Sequence, residues 1–298
     1  MDKQEFDSYK KAGEIAGKVR KYARETVKPG MKLADIADKI ENKIHELGGE
    51  CAFPVNLSIN DVAAHNHPVL ESEEVAEGLL KIDMGIHIDG FIADTALSLD
   101  LTSDSKHKKL IESSEEALEN ALKLIEKNPE VSLGEIGKKI QETIESKGFS
   151  PIVNLSGHSL GEYKVHAGVT IPNCDNGNKN KLDDGAYAIE PFATDGEGRI
   201  YERQSGNVYA VLEFKNVRSL KAREILDYIW KKNKTLPFSL REIQKNFSGF
   251  ARLGLRELEN AGIVKSYPQL VEKRHGAVSQ AEHSFIKDKG KIIVLTRE

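Results

Sequence analysis

The chain has 298 residues, of which 39% are hydrophobic and 30% charged, and its formal net charge is −4 at pH 7. This length allows one large domain or two smaller ones with a sizeable core, and the charge excludes a general attraction to nucleic acid or anionic membranes. The N-terminus lacks the apolar core of a signal peptide, and no apolar run approaches a membrane span of about 20 residues. Two cysteines are too few for a disulfide framework or a zinc–thiolate site. We therefore expect a cytoplasmic protein.

The first predicted elements are two amphipathic helices followed by strands. Apolar residues at helical spacing predict helices over residues 4–26 and 33–47, and Pro29-Gly30 separates them. A strand is predicted next over residues 52–59. The chain therefore opens with a helix pair that leads into a sheet.

A β-hairpin is predicted by residues 81–94, KIDMGIHIDGFIAD, and extends to about residue 101. Asp-Gly between alternating apolar runs is the strongest short-range hairpin signal. A two-residue turn at Asp89-Gly90 pairs Gly85 with Asp94 and places Asp83 diagonally from Asp94 on the same face, about 7–8 Å away. Two carboxylates on an apolar ribbon would share a cation. The alternative is that both are solvated on the polar face of the hairpin.

The helix pair recurs 100 residues later. Helices are predicted over residues 106–127 and 133–147. The residues that match at this offset are Pro29, Leu33, Ile36, Lys39, Ile40, Ile44 and Gly48 with Pro129, Leu133, Ile136, Lys139, Ile140, Ile144 and Gly148. A period this long that occurs twice indicates a duplicated unit rather than a solenoid. Shared periodicity is the alternative, but the matched Pro and Gly favour two pseudo-symmetric halves around a cleft.

Strands and turns are predicted over residues 151–214, and the chain then changes character. Three short helices are predicted over residues 222–232, 239–247 and 251–261, and two final strands over residues 279–286 and 291–296, joined by a turn at Lys289-Gly290. Ser239 with Glu242 three residues later is a capping-box pattern.

Three later residues join the two aspartates as candidate metal ligands. His158 lies between glycines, Glu190 ends an apolar strand, and Glu282 lies in a late strand. Taken singly, each is more readily a turn-capping histidine or a solvated carboxylate. Together with Asp83 and Asp94 they make four carboxylates and one imidazole, a set that suits two adjacent divalent ions better than a thiolate site.

Four segments resemble the metal-binding segments of methionine aminopeptidases: KIDMGIHIDGFIAD, GHSLGEYKVHAG, YAIEPF and QAEHS. The type II branch in its short archaeal form is the most similar, because AFPVNLSINDVAAHNHP and a helical insert also match it. The resemblance covers essentially the whole chain. It implies an α+β pita-bread fold with pseudo-two-fold halves around a central antiparallel sheet. It also implies a catalytic domain over residues 1–205 and 269–298, with a winged-helix-like insert over residues 206–268.

The resemblance implies two divalent ions per chain, of Co, Mn, Fe or Zn. Asp83 would chelate one ion, Asp94 and Glu282 would bridge both, and His158 and Glu190 would complete the other site. Bridging carboxylates hold two ions about 3.5–4 Å apart, and water between them becomes hydroxide near neutral pH. Such a hydroxide could attack the carbonyl that follows an N-terminal methionine.

The resemblance also implies the residues that meet the substrate. His65 and His166 would contact it, and Glu190 would pass a proton to the leaving amine. Phe53 and Tyr267 would line the methionine pocket, with a small second residue preferred. Without the resemblance, a structural histidine and ordinary core packing would be the preferred interpretations.

Two features depart from the family pattern. Asn66-His67-Pro68 follows His65 where relatives usually have an aromatic residue, so His67 could add a metal-binding group near the substrate entrance. Ala281 replaces a larger residue before the last glutamate.

The expected partners are N-terminal-Met peptides and nascent chains, with no DNA and no membrane, and the chain is expected to be a monomer. Residues 219–265 carry ten Lys and Arg against five Asp and Glu, a charge that favours either a solvated face or a transient ribosome contact. We favour the solvated face. Two other functions remain open: a metal-free pita-bread protein that binds RNA or a partner, and a proline-directed peptidase of the prolidase or aminopeptidase P type.

Overall fold

The structure is a computed structural model that describes all 298 residues. It contains seven α-helices, one short 3-10 helix at Ser248–Phe250, and sixteen strands. The α-helices are α1 (Lys3–Thr26), α2 (Leu33–Glu46), α3 (Lys108–Lys127), α4 (Leu133–Ser146), α5 (Leu220–Asn233), α6 (Leu240–Phe247) and α7 (Ala251–Asn260). No helix has both the length and the apolar character needed to cross a membrane.

The strands alternate with these helices and pair antiparallel throughout. They are β1 (Glu50–Cys51), β2 (Asn56–Ile59), β3 (Val62–Ala64), β4 (Leu79–Ile88), β5 (Phe91–Asp100), β6 (Ser150–Pro151), β7 (Ser156–Leu160), β8 (Thr170–Pro172), β9 (Gly185–Ile189), β10 (Phe192–Thr194), β11 (Ile200–Val211), β12 (Phe238–Ser239), β13 (Val264–Glu272), β14 (Val278–Gln280), β15 (His283–Asp288) and β16 (Lys291–Val294).

Side-chain caps fix the starts of several helices. Ser239 caps α6 as predicted, because its side chain accepts a hydrogen bond from the Glu242 backbone N–H at 3.0 Å. Complete capping boxes are found instead at the starts of α1, with Asp2 and Glu5, and of α4, with Ser132 and Glu135. Each satisfies backbone N–H groups that the first helical turn leaves without an internal partner.

The two halves repeat the same local backbone arrangement, as the offset of 100 residues predicts. The backbone N–H of Leu33 donates to Glu74 O at 2.9 Å, and that of Leu133 donates to Asn180 O at 2.8 Å. The helix that each residue starts ends before a glycine with a left-handed backbone, φ 81° in the first half and 83° in the second. Each half has its own core of 20 buried residues, one between α1, α2 and the β4–β5 hairpin, the other around α3 and α4.

The β4–β5 hairpin has the predicted register. Asp89 and Gly90 form the turn with φ angles of 52° and 91°, and Gly85 pairs with Asp94. A Cβ at Gly85 would overlap the ring of Phe53. The glycine therefore allows Phe53 to pack directly on the strand.

Two predicted strands are interrupted. Residues 52–59 do not form one strand, since β1 ends at Cys51 and β2 begins at Asn56. Residues 279–286 divide into β14 and β15, because the backbone N–H groups of Ala281 and Glu282 leave the ladder and donate to Pro191 O and Ala96 O. This second break brings Glu282 beside β5.

A third core lies between α5, α6, α7 and the strands β11, β12 and β13. The three short helices lie in the chain between the paired strands β11 and β13 and pack against them, a small helix-and-sheet unit of winged-helix-like character. Strand β13 also pairs with β3, so the helical unit is attached to the first half through a shared sheet. We keep residues 206–268 as the proposed extent of the insert.

Candidate metal centre

One cleft of about 320 Å³ collects the five predicted metal ligands and the four predicted substrate-contacting residues. Its lining comes from both halves and from the insert, and contains no Lys or Arg. The predicted residues in this lining are Phe53, His65, Asp83, Asp94, His158, His166, Glu190, Tyr267 and Glu282.

Asp94 and Glu282 are brought together by hydrogen bonds between β5 and the start of β15. Ser284 Oγ accepts from the Asp94 backbone N–H at 2.7 Å and donates to Asp94 O at 2.8 Å. The Glu282 N–H donates to Ala96 O at 3.1 Å. Asp94, His158 and Glu282 each offer a ligand atom, and these atoms lie within 4.8 Å of one another. Both carboxylates are buried, with 2% and 1% of the residue exposed.

His158 lies inside strand β7 and does not cap a turn. Its neighbour Gly157 allows β7 to pack on β9, because a Cβ there would overlap Ala188 O. This pairing leaves His158 Nε2 3.7 Å from Asp94 Oδ2 and 3.6 Å from Glu190 Oε1. The imidazole therefore joins the carboxylates of the cleft.

Gln280 is a residue of the centre that the sequence interpretation missed. Its amide Nε2 donates to Glu190 Oε2 at 3.3 Å, and the same amide opposes the rise in the pKa of Asp83. One amide thus acts on two carboxylates that are far apart in the chain. Its place in the QAEHS segment, two residues before Glu282, is the one signal in the sequence that could have indicated it.

The carboxylates are held in an unfavourable environment for negative charge. Burial raises the pKa of Asp83 to about 7. Burial, followed by repulsion between the carboxylates, raises the pKa of Asp94, Glu190 and Glu282 well above their usual values. Burial lowers the pKa of His158 to about 3, so the imidazole is neutral at pH 7.

Four buried polar side-chain atoms of this set have no hydrogen-bond partner: Asp83 Oδ1, Asp94 Oδ1, Glu282 Oε2 and His158 Nδ1. Buried polar atoms are rarely left unsatisfied unless a ligand or ion completes them. Oxygen-rich donors with a neutral imidazole suit divalent cations such as Mn, Fe, Co or Zn. The residues present therefore fit a metal centre.

The two predicted substrate histidines lie at the same cleft. His166 is a solvent-accessible residue whose ring reaches into the cleft, with its centroid 4.4 Å from that of His158. The ring of His65 lies 5.4 Å from that of Tyr267, with φ of 61° at His65. Burial lowers the pKa of His65 to about 4 and also lowers the pKa of His166. Both rings are therefore neutral at pH 7, with one N–H each to donate.

The unusual Asn66-His67 pair does not enter the cleft. His67 is 1% exposed, and its Nδ1 lies 2.8 Å from Val55 O. Asn66 donates to Leu57 O at 2.7 Å and accepts from Gln269 at 2.7 Å. The expectation that His67 adds a metal-binding group is wrong, because its ring is turned into the core of the first half.

Apolar side chains complete the cleft. Phe53 packs against Gly85, and Tyr267 lies on β13. The insert contributes Pro237, which the sequence interpretation did not identify. The larger cavity of the molecule, of about 560 Å³, lies on the other side of Phe53 and Pro237 and contains none of the predicted metal ligands.

Comparisons with known proteins agree with this arrangement. The sequence profile of metallopeptidase family M24 matches residues 7–216. A methionine aminopeptidase of Methanocaldococcus jannaschii is 44% identical over 98% of this chain and 100% of its own. Among solved structures, a thermophilic Arx1 has a TM-score of 0.83 at 17% identity, over 100% of this chain and 92% of its own. A methionine aminopeptidase from Thermotoga maritima has a TM-score of 0.71 at 22% identity, over 100% and 98%. The two structures show a shared fold.

Proposed function

This chain belongs to metallopeptidase family M24, among the methionine aminopeptidases, and we propose that it uses two divalent ions to remove the N-terminal methionine from peptides and nascent proteins. It is a metalloaminopeptidase. The proposal rests on one observation above all: four buried carboxylates and one neutral imidazole converge in a single cleft with ligand atoms left unpartnered.

The five side chains divide between the two ions as the family resemblance implies. Asp83, Asp94 and Glu282 would hold one ion, and Asp94, Glu282, His158 and Glu190 would hold the other. The short distances from His158 to Asp94 and to Glu190 support this division. When bound, such ions supply a nucleophilic water at neutral pH.

His65 and His166 contact the substrate. Each neutral ring can donate one N–H to the scissile carbonyl or to the negative oxygen that forms on it, as an oxyanion-hole donor does. Glu190 would carry the proton lost by the attacking water and deliver it to the leaving amine, as a general acid–base residue does.

The methionine side chain occupies the apolar part of the cleft. Phe53 and Tyr267 line it, and the volume of about 320 Å³ is sufficient for one side chain and the backbone beyond it. A small second residue would be preferred, as the family resemblance implies.

The insert is proposed to have a solvated basic face. Lys232 is paired with Glu242 at 2.6 Å, and Lys234 Nζ lies 3.6 Å from the centre of the Tyr163 ring. Two lysines of this face already interact with groups of the protein itself, so fewer positive charges remain free to bind RNA. This supports a solvated face over a strong ribosome contact.

The test compares hydrolysis of Met-Ala-Ser with hydrolysis of Xaa-Pro peptides by protein loaded with Mn²⁺ or Co²⁺, together with the number of ions bound. We expect methionine release from Met-Ala-Ser and two ions per chain. Preferential Xaa-Pro cleavage would support a proline-directed peptidase instead. A folded protein that binds no divalent ion would support the metal-free binding function.

A further inference from the structure

Helix α1 approaches the C-terminal segment closely through a stripe of small residues. A Cβ on Gly13 would collide with the side chain and carbonyl of Leu295, and a Cβ on Gly17 would lie 2.8 Å from Arg297 O. Arg20 continues this stripe, because residues 13, 17 and 20 are spaced four and three apart and so share one helix face. The two glycines therefore allow Arg20 to reach between the strands behind the C-terminal segment.

Arg20 is a buried cation, with 5% of the residue exposed. Its Nη1 donates to Thr95 Oγ1 at 2.7 Å, to Ala96 O at 2.6 Å and to Glu282 O at 3.3 Å. Thr95 Oγ1 in turn donates to Glu282 O at 2.9 Å. One guanidinium thus joins the backbone next to Asp94 to the backbone of Glu282.

Arg20 contacts the backbone that carries the ligands from outside the cleft. The cleft lining itself contains no Lys or Arg. Arg20 does not line the cleft, so it acts from behind the ligands and does not compete with an ion for their oxygens.

We propose that Arg20 is a positioning residue for the metal centre, which sets the separation of Asp94 and Glu282 by clamping Thr95 and Ala96 to the Glu282 carbonyl. The inference rests on the proposed metal-dependent function. Residues that hold ligands in place from behind commonly affect metal affinity by roughly 10- to 100-fold. Because the clamp spans both ligands proposed to bridge the ions, its loss weakens the binding of both.

The experiment measures the Mn²⁺ affinity of the metal-free full chain by calorimetry. Arg20→Met keeps an unbranched apolar stem but removes the charge and donors of the guanidinium, and we expect roughly 10- to 100-fold weaker binding. Arg20→Lys keeps the charge and should recover part of the affinity, and Thr95→Val removes one link of the clamp and should cause a smaller loss.

Arg241→Met is the matched control, because Arg241 is also a buried arginine at 4% exposure but binds Asp38 away from the centre. We expect this control to lose stability and retain parent Mn²⁺ affinity.

The Co²⁺ absorption spectrum is the second measurement, since a changed ligand separation alters the bands and a loss of general stability does not. Parent affinity and an unchanged Co²⁺ spectrum in Arg20→Met would overturn the inference, and so would an equal affinity loss in Arg241→Met. If Arg20→Met does not fold, Arg20→Lys and Thr95→Val decide, and parent affinity in both overturns it. A parent protein that binds no divalent ion would instead contradict the proposed function.

Discussion

Two cavities meet at Phe53 and Pro237, and charged side chains line both of them. In the larger cavity, of about 560 Å³, charges are paired across the boundary between α2 and the insert. Asp38 there accepts hydrogen bonds from Arg241 and from Lys245. In the metal cleft, of about 320 Å³, four carboxylates share the lining without any Lys or Arg.

The pKa shifts of one aspartate from each cavity have opposite signs. Burial raises the pKa of both Asp38 and Asp83, but hydrogen bonds from Lys245 and Arg241 outweigh it at Asp38, whose pKa falls below its usual value. Asp83 has no cationic partner, and its pKa rises to about 7. Charges that are already paired hold two parts of a chain together, whereas unpaired buried charges require a cation from outside. Pairing with a cation, and not the size of the cavity, therefore separates Asp38 from Asp83.

The largest expected effect comes from removing a bridging ligand. Asp94→Ala and Glu282→Ala should each abolish Met-Ala-Ser hydrolysis and Mn²⁺ binding, a loss beyond the roughly 10²–10³-fold that follows removal of one oxyanion donor. Asp38→Asn is the matched carboxylate of the other cavity. It should retain kcat/KM and lose about 1–3 kcal/mol of stability, because Arg241 loses its charged partner. Peptide assays, calorimetry and urea unfolding check this contrast, and full activity in either alanine variant would refute the site.

A smaller loss is expected at the substrate side of the cleft. His166→Ala should lower kcat by roughly 10²–10³-fold while both ions are retained, because it removes one hydrogen-bond donor to the reacting carbonyl. His67→Gln is the control, since His67 faces the core and a glutamine amide can still donate to Val55 O. It should leave kcat unchanged. Loss of metal from His166→Ala would make His166 a ligand and not a substrate contact.

The opposite pKa shifts predict opposite pH dependences for the metal-free protein. The folded-state pKa of Asp83, about 7, lies above the unfolded value of about 3.9, so the folded state binds more protons and its stability falls as pH rises through this interval. Urea unfolding should show the parent losing on the order of 2–4 kcal/mol relative to Asp83→Asn between about pH 4 and pH 8.

Asp38 should show the reverse dependence, because its folded-state pKa is depressed. Its stabilising contribution is present above the unfolded pKa and is lost as pH falls below about 4. Saturating Mn²⁺ should remove the penalty at Asp83 and leave Asp38 unaffected. A stability difference between the parent and Asp83→Asn that does not vary with pH would contradict the unpaired state of this carboxylate.

Local rules explain the part of the site that the sequence predicts. The Asp89-Gly90 turn determines the pairing of every residue in β4 and β5, so the placement of Asp83 and Asp94 on one face follows from two residues. The offset of 100 residues likewise predicts the two matching halves. The hairpin signal consists of two neighbouring residues, and each copy of the repeated pattern lies within one short segment of the chain.

The remaining parts depend on contacts between distant segments. The break at Ala281-Glu282 exists because their N–H groups bond to residues 191 and 96. Gln280 and Arg20 act on ligands that lie tens to hundreds of positions away. No periodicity records such contacts, although an arginine on the buried stripe of α1 is an anomaly that the hydrophobic pattern could have revealed.

The smallest expected effect tests whether the larger cavity is only structural. Lys232 Nζ donates to Glu242 Oε1 at 2.6 Å, and the Tyr228 hydroxyl donates to the same oxygen at 3.0 Å. With about half of the lysine side chain exposed, such a pair contributes about 0.2–1 kcal/mol. Lys232→Met should therefore lower stability by less than about 1 kcal/mol, and high salt should shrink that difference because it screens exposed pairs. Hydrolysis of Met-Ala-Ser should be unchanged. A clear loss of kcat/KM would mean that substrate extends past Phe53 into the larger cavity, and the paired charges there would then serve binding as well as stability.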